Sequence, residues 1–375
     1  MSSRPPAGAA ARRVALVLAG FSLGGCAPLP PDTPDTAADA EAGRARAPAF
    51  VVMQRARRGS RLVLIDETGA RLGELTELGP VPVRDNSPTL SPDRRWVVFA
   101  SSRGRADMRA TSLWIIELRR GAQPRRLTTG DHDDRDPAWL PDGRSLVFAS
   151  DRGGSFDLWR LDLRPGPGDI LIAAGLPQAL TARPRQALHP APSPDGERIL
   201  YTEADLDGGG SELWQWQGGE VAQVTDGPAD ATPAWSPDGR TIAFSGRIER
   251  ADGTIDSEIF VMDAGGRERR LVVEEPLAAQ SHPVWSADGR YLFSTSLLRS
   301  VADGKPILSS VTFVDLREQP PLLRALHDPV VVESRASPVM ARETLDAARL
   351  HENPSYRDAL AEAATRARMQ RPDEP

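Results

Sequence analysis

The chain has 375 residues, of which 26% are charged, and a formal net charge of −6 from 46 Lys and Arg against 52 Asp and Glu. That acidic balance excludes broad nucleic-acid binding, which needs a basic face. The single cysteine, Cys26, excludes an intramolecular disulfide.

Arg12-Arg13 precede the apolar run Val14–Phe21. This is a positive n-region followed by a short h-region, too short to span a bilayer. Leu23-Gly24-Gly25-Cys26 follows and resembles the lipobox of bacterial lipoproteins. The resemblance implies that residues 1–25 are a signal peptide, and that Cys26 is the lipid-attachment residue and the first of the mature chain. The small residues let a peptidase approach, and the thiol supplies the nucleophile for thioether formation. Residues 26–48 are rich in Ala, Pro, Asp and Thr and read as a flexible tether. Ala27 rather than Asp follows the cysteine. By resemblance to enterobacterial sorting, that points to the outer membrane, facing the periplasm.

One pattern recurs through residues 49–341. It reads Asp136-Pro137-Ala138-Trp139-Leu140-Pro141-Asp142-Gly143, then a strand ending near Phe148, then Asp157–Asp162. The same text returns at Thr232–Gly239 and His282–Gly289, without Trp at His189–Gly196, and first at Ser87–Asp93. The turn aspartates Asp93, Asp142, Asp195, Asp238 and Asp288 are about 50 residues apart, a period that suits one four-stranded propeller blade. Pro-x-Trp predicts a short inner strand whose pre-proline residue is extended. Ser-Pro-Asp-Gly predicts a tight turn. Alternating apolar runs predict three further strands, and the Trp residues are expected to pack between blades. Ser337–Met340 resembles one more inner strand, whose remaining strands are Ala49–Met53, Arg61–Asp66 and Arg71–Leu75. The expected fold is therefore all-β: a six-bladed β-propeller of four-stranded blades, its last blade closed by both termini. Residues 342–375 read as a short helical or disordered tail, with Pro354 as a breaker.

The repeated Pro-x-Trp-Ser-Pro-Asp-Gly text is similar to that of the TolB-like β-propeller family. Departures are Arg94 in place of the turn glycine, Pro192 in place of Trp and Ala287 in place of Pro.

The inner-strand entries and the loops joining second to third strands are expected on one face, where loop lengths vary; uniform turns occupy the other. Irregular loops on a rigid scaffold favour that first face for function. The residues ahead of the inner-strand prolines should ring the channel mouth, with their neighbours: Asp134, Arg135, Asp136, His189, Asp230, His282 and Arg335. His189 and His282 fall two blades apart, too far for joint ligation of a metal, and whether the mouth takes a metal stays open. The sequence has no Gly-x-Ser-x-Gly elbow, no His-Glu-x-x-His and no phosphate-binding Gly-rich loop with Lys, and no cofactor is expected. These features point to a non-enzymatic envelope lipoprotein that binds a protein or peptide at the loop-rich face. Alternatives are a solute- or glycan-binding lipoprotein, or a metal-dependent polysaccharide lyase or hydrolase using the channel mouth.

Overall fold

A computed structural model describes residues 48–369, apart from 57–58, 107, 120, 206–209, 251–252, 254, 277, 300–305, 327–338 and 342–343. The lipobox, the tether and Arg335 lie outside the described residues. The chain forms an all-β, propeller-like fold with a short helical tail. The strands group into antiparallel sheets: one of eight strands, one of five and three of four. In the eight-stranded sheet a parallel bridge joins Gly59–Ile65 to Val83–Leu90, with Gly59 opposite Val83 and Ser60 opposite Arg84. Gly59 has φ +136, and a Cβ there would lie 1.7 Å from the Val83 carbonyl oxygen, so only glycine permits this approach. At the far end of the same sheet Val339–Met340 pairs antiparallel with Phe50–Ala56, Phe50 facing Met340.

The repeated turns satisfy their own polar groups. In Ser236–Arg240 the Ser236 hydroxyl donates to Asp238 Oδ1 at 2.6 Å, the Arg240 amide donates to the same oxygen at 3.1 Å, and Gly239 takes φ +68. Ser193–Glu197 and Ser286–Arg290 repeat these bonds. Arg94 holds the glycine position of the first copy at φ +56.

The inner strands depart from expectation. The pre-proline residues Ser87, Asp136, His189, Thr232 and His282 are not extended; all have φ between +46 and +53. Each sits in a β-bulge, where register shifts by one residue against the second strand. Two residues, X-Pro, then oppose one. That one is Phe99, Phe148, Tyr201 or Phe244 in four sheets, each fully buried, and Ser294 in the fifth. The bulge overrides the pre-proline preference for extended backbone because it frees the second-strand aromatic to fill the core. The proline removes an N–H from an edge that faces the channel and has no strand to pair with.

Apolar clusters sit between neighbouring sheets. Trp96, Trp139 and Phe148 share one, Phe99, Leu62 and Val97 another, and Trp235, Phe244 and Leu200 a third. The Trp residues on these strands pack against adjacent sheets, as expected.

The tail is docked. Asp346 caps the helix Ala347–His351 through the Ala348 and Arg349 amides. Leu350 is fully buried beside Phe50 and Phe293. Arg349 pairs with Asp66 at 2.6 Å, His351 Nε2 lies 3.1 Å from Asp315, and the Asn353 amide donates to the Glu67 carbonyl. Burial raises the Asp66 carboxyl, but Thr68 and Arg349 outweigh it and hold it below its usual range. The helix Tyr356–Met369 then sets Tyr356 and Ala359 against Val261, Val314 and Leu323. Burying Leu350 and Tyr356 contributes about 1.5–3 kcal/mol each. A chain ending at Ala341 should therefore melt several degrees below full length, and one ending at Asn353 in between. Equal melting temperatures for the three chains would show that the tail is no part of the packed core.

Candidate functional site

The left-handed residues form a belt around a central cavity of about 440 Å³. Ser87, Asp136, His189, Thr232 and His282 all line it, together with their prolines. Contacts run from one inner strand to the next. The Ser87 hydroxyl donates to Asp136 Oδ1 at 2.9 Å. Asp136 Oδ2 lies 3.5 Å from His189 Nε2, an ion pair once the imidazole is protonated. The His282 amide donates to the Thr232 hydroxyl at 3.2 Å. His189 and His282 meet edge to face, with ring centroids 5.5 Å apart. This corrects the expectation that two intervening sheets hold them apart. The left-handed backbone aims both rings inward, so they meet across the channel. Among the described residues no group of three or more His, Cys, Asp or Glu is arranged to hold a metal ion.

Asp134 and Asp230 do not stand at the opening. Both are almost wholly inaccessible to solvent. Asp134 accepts from Arg152 at 2.7 Å and Asp230 from Arg269 at 2.9 Å. Asp85 does the same with Arg103 at 2.6 Å, and Glu203 with Arg183 at 2.6 Å. Burial raises the Asp230 carboxyl despite Arg269. These acids bury because the bulge breaks strand alternation: two residues before each left-handed position the side chain points behind the channel wall. Their arginines come from the loops, and some also lie over aromatic rings, Arg183 over Trp214 at 4.2 Å and Arg269 over Phe260 at 4.2 Å. Charge-assisted bonds of this kind anchor the loops. Arg135 is half-buried, donates to Asp133 at 2.7 Å and lies over Phe156 at 4.5 Å.

The loops of this face also touch one another. Arg105, between second and third strands, donates to the Gly130 carbonyl at 2.9 Å and to that of His132, both ahead of the next inner strand. On the other face the short turns meet instead: the Leu163 amide donates to Arg144 O and that of Ala264 to Arg240 O. Sequence reasoning missed Glu258, which is fully buried and bonded to Arg250 at 2.6 Å and to the Glu275 amide at 3.0 Å. Its position on an apolar third strand was the available signal.

Burial pushes the Glu258 carboxyl up to about 7 from 4.5, against the pull of Arg250. The folded state then binds this proton more tightly than the unfolded state. The group's unfavourable contribution is full above pH 7, shrinks as pH falls, and is gone below 4.5. Lowering pH from 8 to 5.5 should stabilise the protein, through this residue, by about 1–2 kcal/mol. Denaturant titrations of the natural chain and Glu258→Gln at both values check this. A pH response unchanged by the substitution would assign the proton elsewhere.

Comparison with known proteins adds the following. Residues 73–250 match the family described as the TolB beta propeller domain. The uncharacterized peptidase YuxL of Bacillus subtilis is 31% identical over 32% of this chain and 18% of its own length. The Tol-Pal system protein TolB of Francisella tularensis is 29% identical over 49% of this chain and 40% of its own. The chain thus spans less than half the length of these relatives. The crystal structure of TolB from Acinetobacter baumannii superposes with a TM-score of 0.55 at 17% identity, over 78% of this chain and 66% of that one. Bulged inner strands, repeated turns and the matched residues converge on one description: the chain carries a TolB-like β-propeller.

Proposed function

We propose that this chain is a non-enzymatic lipoprotein of the bacterial envelope whose propeller docks a protein or peptide partner at the channel mouth. The observation that carries the reading is the belt of left-handed residues around the cavity. A non-glycine residue held there costs of order 1–3 kcal/mol, and such strain collects at ligand clamps. Here it fixes Asp136, His189 and His282 toward one opening, where a rigid set of acid and imidazole groups orients a partner without large motion. Arg135 and Arg335 belong to the same mouth, while Asp134 and Asp230 act behind it by holding the loops. Likeness to a Tol-Pal system protein supports a protein partner and an envelope location.

The ring has six blades in this reading. The eight-stranded sheet counts as two blades bridged at Gly59 and Ser60, and the last blade takes its inner strand from Val339–Met340 and its other strands from residues 50–74. Apolar clusters between each pair of neighbours support the count. Residues 1–25 are the signal peptide, Cys26 carries the lipid, residues 26–48 are the tether, 49–341 the propeller and 342–375 the tail. The anchor sits in the outer membrane, facing the periplasm.

Asp136→Asn, His189→Asn and His282→Asn together should abolish co-purification of partners while leaving melting nearly unchanged, because Asn tolerates the left-handed backbone. Arg144→Ala with Arg240→Ala, on exposed turns of the opposite face, should change neither. Partner loss in the arginine pair alone would place docking on the opposite face. Retained partners with altered binding of a free sugar or solute would favour the small-ligand alternative.

The anchor has its own test. Metabolic labelling with an alkynyl fatty acid should mark the natural chain and not Cys26→Ser, and the variant should move to the soluble fraction. Equal membrane retention of the two would refute lipid attachment.

A further inference from the structure

A second cavity of about 390 Å³ adjoins the belt, sharing Ser87 and Asp136 with it. It lies at the bridge where Gly59 and Ser60 meet Val83 and Arg84. Its charges are unbalanced: three arginines, Arg84, Arg109 and Arg135, border it against one aspartate, Asp136. Asp136 already accepts from Ser87 and faces His189. Arg135 is held by Asp133 and by the Phe156 ring. Arg84 is exposed, its backbone amide and carbonyl bond to Ser102, and its side chain makes no ion pair with the described residues. The cavity is therefore a positive spot on a chain whose net charge is −6. Its wall is not wholly polar. Met53 and Met108 border it, Met108 is 38% exposed, and Val81, 67% exposed, lies in the loop leading to the Arg84 strand.

We propose that this cavity is a specificity pocket for an acidic residue of a peptide partner, with the carboxylate taken by Arg84 and Arg109 and a neighbouring apolar side chain seated on Met108. The assignment rests on the peptide-docking reading of the loop-rich face. Planar guanidinium groups match a carboxylate through paired N–H donors, which favours a carboxylate over a neutral amide of the same shape. Methionine adapts to varied apolar side chains, which suits it to the second seat. The rigid base is supplied by neighbours: Ser60 donates to the Asp85 carbonyl at 2.8 Å, and Asp85 is buried under Arg103 and Ser101. The Arg84 strand is thus pinned one residue away from the arginine itself.

The test uses two probes on the purified protein, acetyl-Leu-Glu-Leu-amide and its Gln counterpart, titrated to millimolar concentration and followed by calorimetry and by NMR shifts. The Glu peptide should bind about tenfold more tightly. Arg84→Gln and Arg109→Gln should each erase most of that preference, added salt should weaken it, and Arg84→Lys should restore part of it. All three variants should melt like the natural chain, since Arg84 and Arg109 are exposed. Equal binding of the two peptides, or a preference that survives in the Arg84→Gln/Arg109→Gln double variant, would overturn the pocket and leave peptide docking standing. Inorganic phosphate that binds at Arg84 and is not displaced by the Glu peptide would overturn the carboxylate assignment. Binding of neither peptide would overturn the pocket as well; partner capture by the belt variants decides the docking reading independently.

Discussion

The bulge at each X-Pro step is the constraint on which the rest of the structure depends. It puts two inner-strand residues opposite one second-strand residue and turns the first of the two left-handed. Two consequences follow from one backbone feature. The second-strand position is free to hold a buried aromatic, which builds the core between sheets. The left-handed side chain is aimed into the channel, which builds the belt. Without the bulge, residues two apart would share a face. Asp134 and Asp136 would point the same way, as would Asp230 and Thr232. With it, the first of each pair is buried under an arginine and the second lines the cavity.

This division separates two electrostatic tasks. The buried acids Asp85, Asp134, Glu203 and Asp230 are matched by arginines from the loops, so each loop is tied to the sheet beneath it. Removing one partner of such a pair leaves an uncompensated buried charge and costs about 3–5 kcal/mol. The belt groups carry no such structural duty. Asp136 and His189 meet at 3.5 Å in a partly open setting, where the interaction is weaker and depends on protonation. Binding groups can therefore differ between repeats while the clasps stay in place.

Much of the fold was legible in the sequence because its devices are local. Pro, Asp and Gly at fixed offsets encode a turn whose hydrogen bonds close within five residues, and Trp at repeat positions encodes packing between sheets. The bulge was not legible, since proline alone favours an extended predecessor and only pairing with the second strand reverses that preference. The meeting of His189 and His282 was lost for the same reason: sequence counts the sheets between them, whereas the inward turn of both backbones sets the distance across the channel. The tail was ambiguous because Leu350, Tyr356 and Ala359 bury against sheets far away in sequence. Arg84 and Arg109 drew no notice, having no repeat to mark them; the cavity gathers them from a strand and a loop that meet only through the glycine contact at Gly59.

The two faces differ because chain connection differs. Turns between first and second strands must return the chain at once, and their Ser, Asp and Gly side chains and backbones are consumed in doing so. Few polar groups remain there for a partner. Loops on the opposite face need only end where the next strand begins. Their acids and arginines are committed at the roots, at Asp85–Arg103, Asp134–Arg152 and Asp230–Arg269, while the tips carry exposed Met108 and Arg109. A root fixed by buried charge with a tip left to vary is how a repeated scaffold acquires a unique surface. Here that surface is asymmetric around the channel, positive beside the first inner strand and imidazole-rich across it, so a bound chain has one preferred direction.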